Sequence, residues 1–214
     1  SISGRVAVGL PPSMAKILTV SLTREFRKHL PEAALSISEG LSMTIQEWLQ
    51  TGRVDIALLY NPSYTPDIET TELLDEELYL ISPIDKASQD EIIELKDLAK
   101  HPLIMPARPN ALRMLVETQL SKVSRKPQIV LEIDGVSAIL DLVKEGLGCA
   151  VLPKYSVHQT GKTAQFNVQR INGLASRLVM AVAAHRPTTS TQKAMLSLIS
   201  ELTVRTIEAA AIPE

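Results

Sequence analysis

Arg5-Val6-Ala7-Val8-Gly9 runs directly into Leu10-Pro11-Pro12-Ser13. The first five residues read as a strand and the next four as a turn. Beyond them Ala15, Leu18, Leu22 and Phe26 recur at +3, +4 and +4, one face of a helix. Pro31 ends that helix, because the residue before a proline is pushed out of α geometry. Leu35-Ser36-Ile37-Ser38 is the second strand, stopped at Gly40. Ile45, Trp48 and Leu49 share a helical face, with Gly52 where a left-handed closing residue is wanted. Val54 to Leu59 is almost continuously apolar, as in a strand buried on both faces. Strand, helix, strand, helix, strand implies right-handed crossovers and a parallel sheet.

The same theme returns further along. Leu103-Ile104-Met105 reads as a strand, and a helix carrying Leu112, Leu115 and Val116 starts after Pro109-Asn110. Ile129 to Ile133 is the next strand. Asp134 is placed to cap a helix with the stripe Val136, Ile139, Leu140 and Val143, closed at Gly146. Cys149 to Leu152 forms a strand stopped by Pro153. Leu78 to Ser82 is a strand between the halves, and Arg177 to Ala184 is one long strand. Met195, Leu198 and Leu202 mark a last helix, which the pattern assigns to neither half. Ser156 to Asn172 is polar and irregular, a loop or weak strand. The fold class is α/β, in two lobes.

At 214 residues the chain can bury roughly 70% of its unfolded surface. Hydrophobic residues at 45% and charged residues at 21% exclude wholesale disorder. The net charge of −2 gives no bulk attraction to nucleic acid or an anionic membrane. Aromatic residues, at 3%, are too few for base-stacking platforms. The single Cys149 excludes an internal disulfide and fits a cytoplasmic location. No apolar run is long enough to span a membrane. The opening residues do not read as a signal peptide, and the start without Met suggests a processed chain or a fragment.

Enzyme signatures do not emerge. There is neither a G-x-S-x-G elbow nor a phosphate-binding P-loop. Gly146-Leu147-Gly148 precedes a strand instead of opening a helix, the wrong place to cradle a pyrophosphate. His29, His101, His158 and His185 are scattered singly, without metal-ligand spacing. Cys149 reads as a small buried hydrophobe. No catalytic residue, cofactor or metal is expected, and the chain is not read as an enzyme.

Helix N-termini carry unpaired N–H groups that suit carboxylates. Three of them follow strand ends: Pro12-Ser13, Ser42 and Asp134-Gly135-Val136. Ser13 and Ser42 can donate to a ligand there, or cap their helices instead. Tyr60 and Asn61 leave the third strand at the rim of the expected crevice. Arg108 is the one cation near a strand end in the second lobe, with a plain surface arginine as the alternative. Asp55 reads as structural, satisfying backbone donors nearby.

In order and spacing, Gly4 to Ser13, Phe26 to Pro31, Ile37 to Ser42, Gly52 to Leu59, Glu77 to Ile81, Glu132 to Asp134 and Leu142 to Pro153 together resemble the effector-binding domain of LysR-type transcriptional regulators. Gly9-Leu10-Pro11-Pro12-Ser13 and Glu39-Gly40-Leu41-Ser42 are similar to the nitrogen-assimilation control branch. The resemblance implies two Rossmann-like lobes of the periplasmic-binding-protein (type II) kind, joined by two crossover strands. It places 1–81 and 183–214 in lobe I and 82–182 in lobe II. It implies an N-terminal winged helix-turn-helix, not present in this chain, through which alone DNA would be bound.

It also implies a small-molecule effector, a carboxylate or nitrogen metabolite, in a cleft between the lobes. The matching positions are Pro12, Ser13, Ser42, Tyr60, Arg108 and Val136. Homodimers or homotetramers are implied, with no membrane partner. The competing readings are a ligand-independent oligomerisation module, a periplasmic solute-binding protein, and an enzyme on the same scaffold.

Overall fold

The computed structural model describes residues 4–86 and 90–210. In chain order the elements are β1 (Gly4–Leu10), α1 (Pro12–His29), β2 (Ala33–Glu39), α2 (Ser42–Thr51), β3 (Ile56–Tyr60), β4 (Ile68–Pro83), β5 (Ile92–Glu94) and β6 (Pro102–Met105). Then come α3 (Ala111–Lys122), β7 (Gln128–Glu132), α4 (Val136–Lys144), β8 (Ala150–Pro153), α5 (Lys154–His158), β9 (Phe166–Ala183) and α6 (Ser190–Ala210). The parts of the expected lobes that fall at 1–3, 87–89 and 211–214 lie outside the described residues.

The chain forms two units, one of residues 4–74 with Arg177–Ala209, the other of Asp75–Ser176. The chain therefore passes between them inside β4 and again inside β9, along strands and not through loops. The divisions fall several residues before positions 81 and 183 named from the sequence. Each connecting strand continues unbroken through the change of unit, so hydropathy carries no signal there. Helix α6 lies in the first unit as far as Ala209.

In the first unit β1 pairs in parallel with β2 along its whole length and with β3 at Val8–Ile56. β3 pairs antiparallel with the end of β9, Ala57 opposite Ala181. The order is β2-β1-β3-β9. Met14, Leu18, Leu22 and Phe26 of α1 are each at most 1% exposed. The stripe thus starts at Met14 and not Ala15, the 4-4-4 spacing that keeps one face on the sheet. Burying each such side chain stabilises the fold by about 1.5–3 kcal/mol.

Gly9 lets α2 approach: a Cβ there would sit 2.5 Å from Ile45 Cγ2. Gly52 closes α2 at φ +82°, the left-handed geometry expected of it. Arg186 then donates from Nη1 to the Leu49 carbonyl at 3.0 Å.

In the second unit β6 pairs in parallel with β7, and Leu103 bridges in parallel to Cys149 just ahead of β8. β8 pairs antiparallel with the end of β4, Leu78 opposite Pro153. One core gathers Val116 and Leu120 of α3 with Leu78, Leu80, Leu103 and Val151. A second gathers Ile139, Leu140 and Val143 of α4 with Ile81, Ile104 and Leu152. Asn110 caps α3, its Oδ1 accepting from the N–H groups of Leu112 and Arg113.

The polar stretch 156–172 contains the end of α5 and the start of β9, which is 18 residues long. The sequence read only its second half as a strand, because Gly173 at φ +85° breaks the alternation on either side of it.

Candidate functional site

Pro11 and Leu41 are the N-cap residues of α1 and α2, and neither helix has a side-chain cap. Pro12 opens α1, where its missing N–H costs nothing. Ser13 and Ser42 are therefore inside their helices, and the capping alternative for both is removed. Their hydroxyls turn to one residue. Ser13 Oγ lies 3.3 Å from Tyr60 OH, and Ser42 Oγ accepts the Tyr60 backbone N–H at 3.1 Å.

Tyr60 is the last residue of β3, so the ends of β1, β2 and β3 deliver these groups to one place. Ser42 is 9% exposed. With its oxygen accepting from Tyr60, its proton is left to donate. The cluster consists of hydroxyls beside two helix N-termini, which suits an acceptor group such as a carboxylate oxygen.

Asn61 does something else. At φ +49° it turns the chain, its N–H donating to the Arg177 carbonyl at 2.9 Å and its Oδ1 accepting the Arg177 N–H at 2.8 Å. It holds β3 to β9. Asp55 lies just before β3 and accepts the Ala7 N–H at 2.8 Å, the structural role read from the sequence.

In the second unit Arg108 is on the surface with its guanidinium engaged by Glu117, Nε to Oε1 at 2.8 Å and Nη2 to Oε2. Its side chain is 68% exposed. The hydrogen bond from Arg108 holds the Glu117 carboxyl below its ordinary range, and Glu117 in turn raises Arg108.

Arg113, not singled out from the sequence, is the buried member of this group at 8% exposure. It donates to Glu117 Oε1 at 2.9 Å, Glu132 Oε2 at 2.8 Å and the Pro106 carbonyl at 3.1 Å. The Arg113–Glu117 spacing of i, i+4 on a helix was the legible signal.

Val136 is the first residue of α4 and is half-buried against the core beneath it. Asp134 does not cap α4: Gly135 is the N-cap, and Asp134 Oδ1 accepts the Ala107 N–H at 3.2 Å. The carboxylate sits one residue too early and meets the loop after β6 first.

Cys149 is 7% exposed within an apolar core. Among the described residues no group of three or more His, Cys, Asp and Glu could hold a metal ion. None of the described helices is long and apolar enough to cross a membrane.

The LysR substrate binding domain model matches residues 1–203. The chain is 28% identical over 155 residues to the nitrogen assimilation regulatory protein nac of Klebsiella aerogenes, covering 72% of this chain and 50% of that protein. It spans about half the length of the curated relatives it matches. Among solved structures, the effector binding domain of QuiR in complex with shikimate superimposes with TM-score 0.81 at 20% identity, covering 95% of this chain and 99% of that one. The Synechocystis PCC6803 CcmR regulatory domain in complex with 2-PG also gives 0.81 at 20% identity, covering 95% and 97%.

Proposed function

Because the chain belongs to the LysR substrate binding domain family, we propose that it is the effector-sensing and oligomerisation domain of a cytoplasmic bacterial transcriptional regulator. It binds a small metabolite, and the full-length protein changes its grip on DNA in response. The observation that carries this reading is the convergence of Ser13, Ser42 and Tyr60 beside two helix N-termini that have no side-chain caps.

The effector presents an acceptor oxygen to these groups, a carboxylate or the carboxylate of a nitrogen metabolite. Pro12 shapes the same turn. Val136, at the head of α4, offers a further helix N-terminus, whereas Arg108 contributes only if it leaves Glu117. An effector acts by binding one arrangement of the protein better than another. Exposed Val20 on α1, with Val130 and Leu131 on β7, supplies apolar surface for pairing of chains in a homodimer or homotetramer.

The test is a thermal-shift screen against carboxylates, amino acids and nitrogen compounds. A true effector at about 100 times its Kd adds about 2.7 kcal/mol. In a domain of this size that raises Tm by roughly 5–10 °C. Ser13→Ala and Ser42→Ala abolish the ligand-induced rise. A broad screen without any shift turns the assignment to a ligand-independent oligomerisation module.

A further inference from the structure

The second unit contains a cavity of about 430 Å³, formed by residues that play no part in the hydroxyl cluster and within the size range of small-molecule pockets. Ile93, Pro102, Leu147 and Cys149 give it largely apolar walls. Leu147 is 54% exposed, so the cavity reaches the surface there.

Two polar side chains in the wall are almost wholly buried, Ser82 at 5% and Gln169 at 4% exposure. Gln169 donates from Nε2 to the Asp90 carbonyl at 2.9 Å. A carbonyl only accepts, so the amide is oriented with its NH₂ toward Asp90 and its oxygen left to accept elsewhere. That oxygen and Ser82 Oγ are the acceptor atoms these two side chains can offer to the void they both line.

The charges in the wall exclude one class of occupant. Among the described lining residues Asp90 is the only carboxylate, and none is a lysine or arginine. Burial holds the His101 imidazole below its ordinary range, so it is neutral at pH 7. An anion finds no counter-charge among the described lining residues, and it brings no proton for the Gln169 oxygen.

We propose that this cavity is a second ligand site, taking a small, uncharged, mostly apolar molecule that carries a hydrogen-bond donor, an alcohol or a primary amide. The donor meets Gln169 Oε1, the Ser82 hydroxyl takes the remaining polar atom, and the hydrocarbon part lies against Ile93, Pro102 and Leu147. The chemistry is the reverse of the Ser13–Ser42–Tyr60 cluster, which offers donors to an acceptor.

The test is titration of the ¹⁵N-labelled chain with benzyl alcohol, benzamide and benzoate, followed by amide chemical shifts. The two uncharged probes move the resonances of Leu147, Gly148 and Gln169, and benzoate at the same concentration does not. Ser82→Ala weakens benzamide about five-fold, as expected for one neutral hydrogen bond. Gln169→Leu does the same. If Ser82→Ala loses the dispersed spectrum of a folded chain, Ser82→Cys replaces it, and unchanged affinity in a folded variant overturns the role of Ser82. The site is overturned if neither uncharged probe moves these resonances up to its solubility, or if the shifts are confined to Ser13, Ser42 and Tyr60. An equal response to benzoate overturns the assigned ligand chemistry.

Discussion

Ser42 Oγ accepts the backbone N–H of Tyr60 at 3.1 Å, fixing the first residue of α2 to the last residue of β3. One hydroxyl thus joins two elements and still has its proton available to a ligand. Replacing it separates these roles. Ser42→Ala leaves a backbone N–H at a nearly closed position without this acceptor, at a cost of about 1 kcal/mol. Ser42→Thr keeps the acceptor. Urea unfolding shows a lower midpoint for Ser42→Ala than for Ser42→Thr with equal m-values, while the ligand-induced thermal shift is lost in Ser42→Ala.

Gly9 is expected to tolerate no side chain. A Cβ there meets Ile45 Cγ2 at 2.5 Å, so Gly9→Ala pushes α2 off the sheet and destabilises by about 1–3 kcal/mol. The double variant Gly9→Ala with Ile45→Ala removes the Cγ2 that makes the clash. Its unfolding free energy exceeds the sum expected from the two single variants, measured as a double-mutant cycle.

Arg113 and Arg108 share Glu117 but differ in burial. Arg113→Ala removes the buried partner from Glu117, Glu132 and the Pro106 carbonyl at once. It destabilises by about 2–3 kcal/mol, below the full penalty for a broken buried pair because Glu132 is 57% exposed. Arg108→Ala removes a solvent-screened surface pair and destabilises less than Arg113→Ala. Chemical denaturation that ranks Arg108→Ala as the more damaging change contradicts this account.

Two groups set separate acid-side slopes. Burial lowers the His101 pKa from its ordinary 6.5. As pH falls below about 6.5 the unfolded chain binds the proton first, so stability declines on the acid side and is unaffected above it. Glu117 is lowered from its ordinary 4.5, chiefly by the Arg108 hydrogen bond. Its contribution is present above that value and is lost as pH falls through the folded pKa. His101→Gln flattens the pH dependence of Tm in the upper window alone, and Glu117→Gln flattens it in the lower window alone.

The structure also explains which parts of the fold were readable in advance. β1, α1, β2 and α2 were legible because each buries a single face, and a single face leaves a period of 2 or 3.6 residues in the sequence. The first ten residues of β4 were not, since most of Ile68–Glu77 is exposed or half-exposed and polar. The first half of β9 was missed for another reason: it buries Gln169 and Ser176 and turns at Gly173, so composition and alternation both point away from a strand. Asp134 reads as a cap because that residue type precedes a helix, but its carboxylate accepts the Ala107 N–H of the loop after β6.

By itself the sequence determined the α/β class, the parallel pairing of the early strands and the division into two lobes. These follow from which side chains avoid water, a property written locally in residue order. Tertiary structure alone decided that Ser13, Ser42 and Tyr60 meet, across separations of 47 and 18 residues, that Arg113 and not Arg108 is the buried arginine, and that Ser82 and Gln169 line one cavity. A hydroxyl, guanidinium or amide takes whichever partner lies within about 3 Å of it, and that partner is chosen by how strands and helices stack, not by its neighbours along the chain.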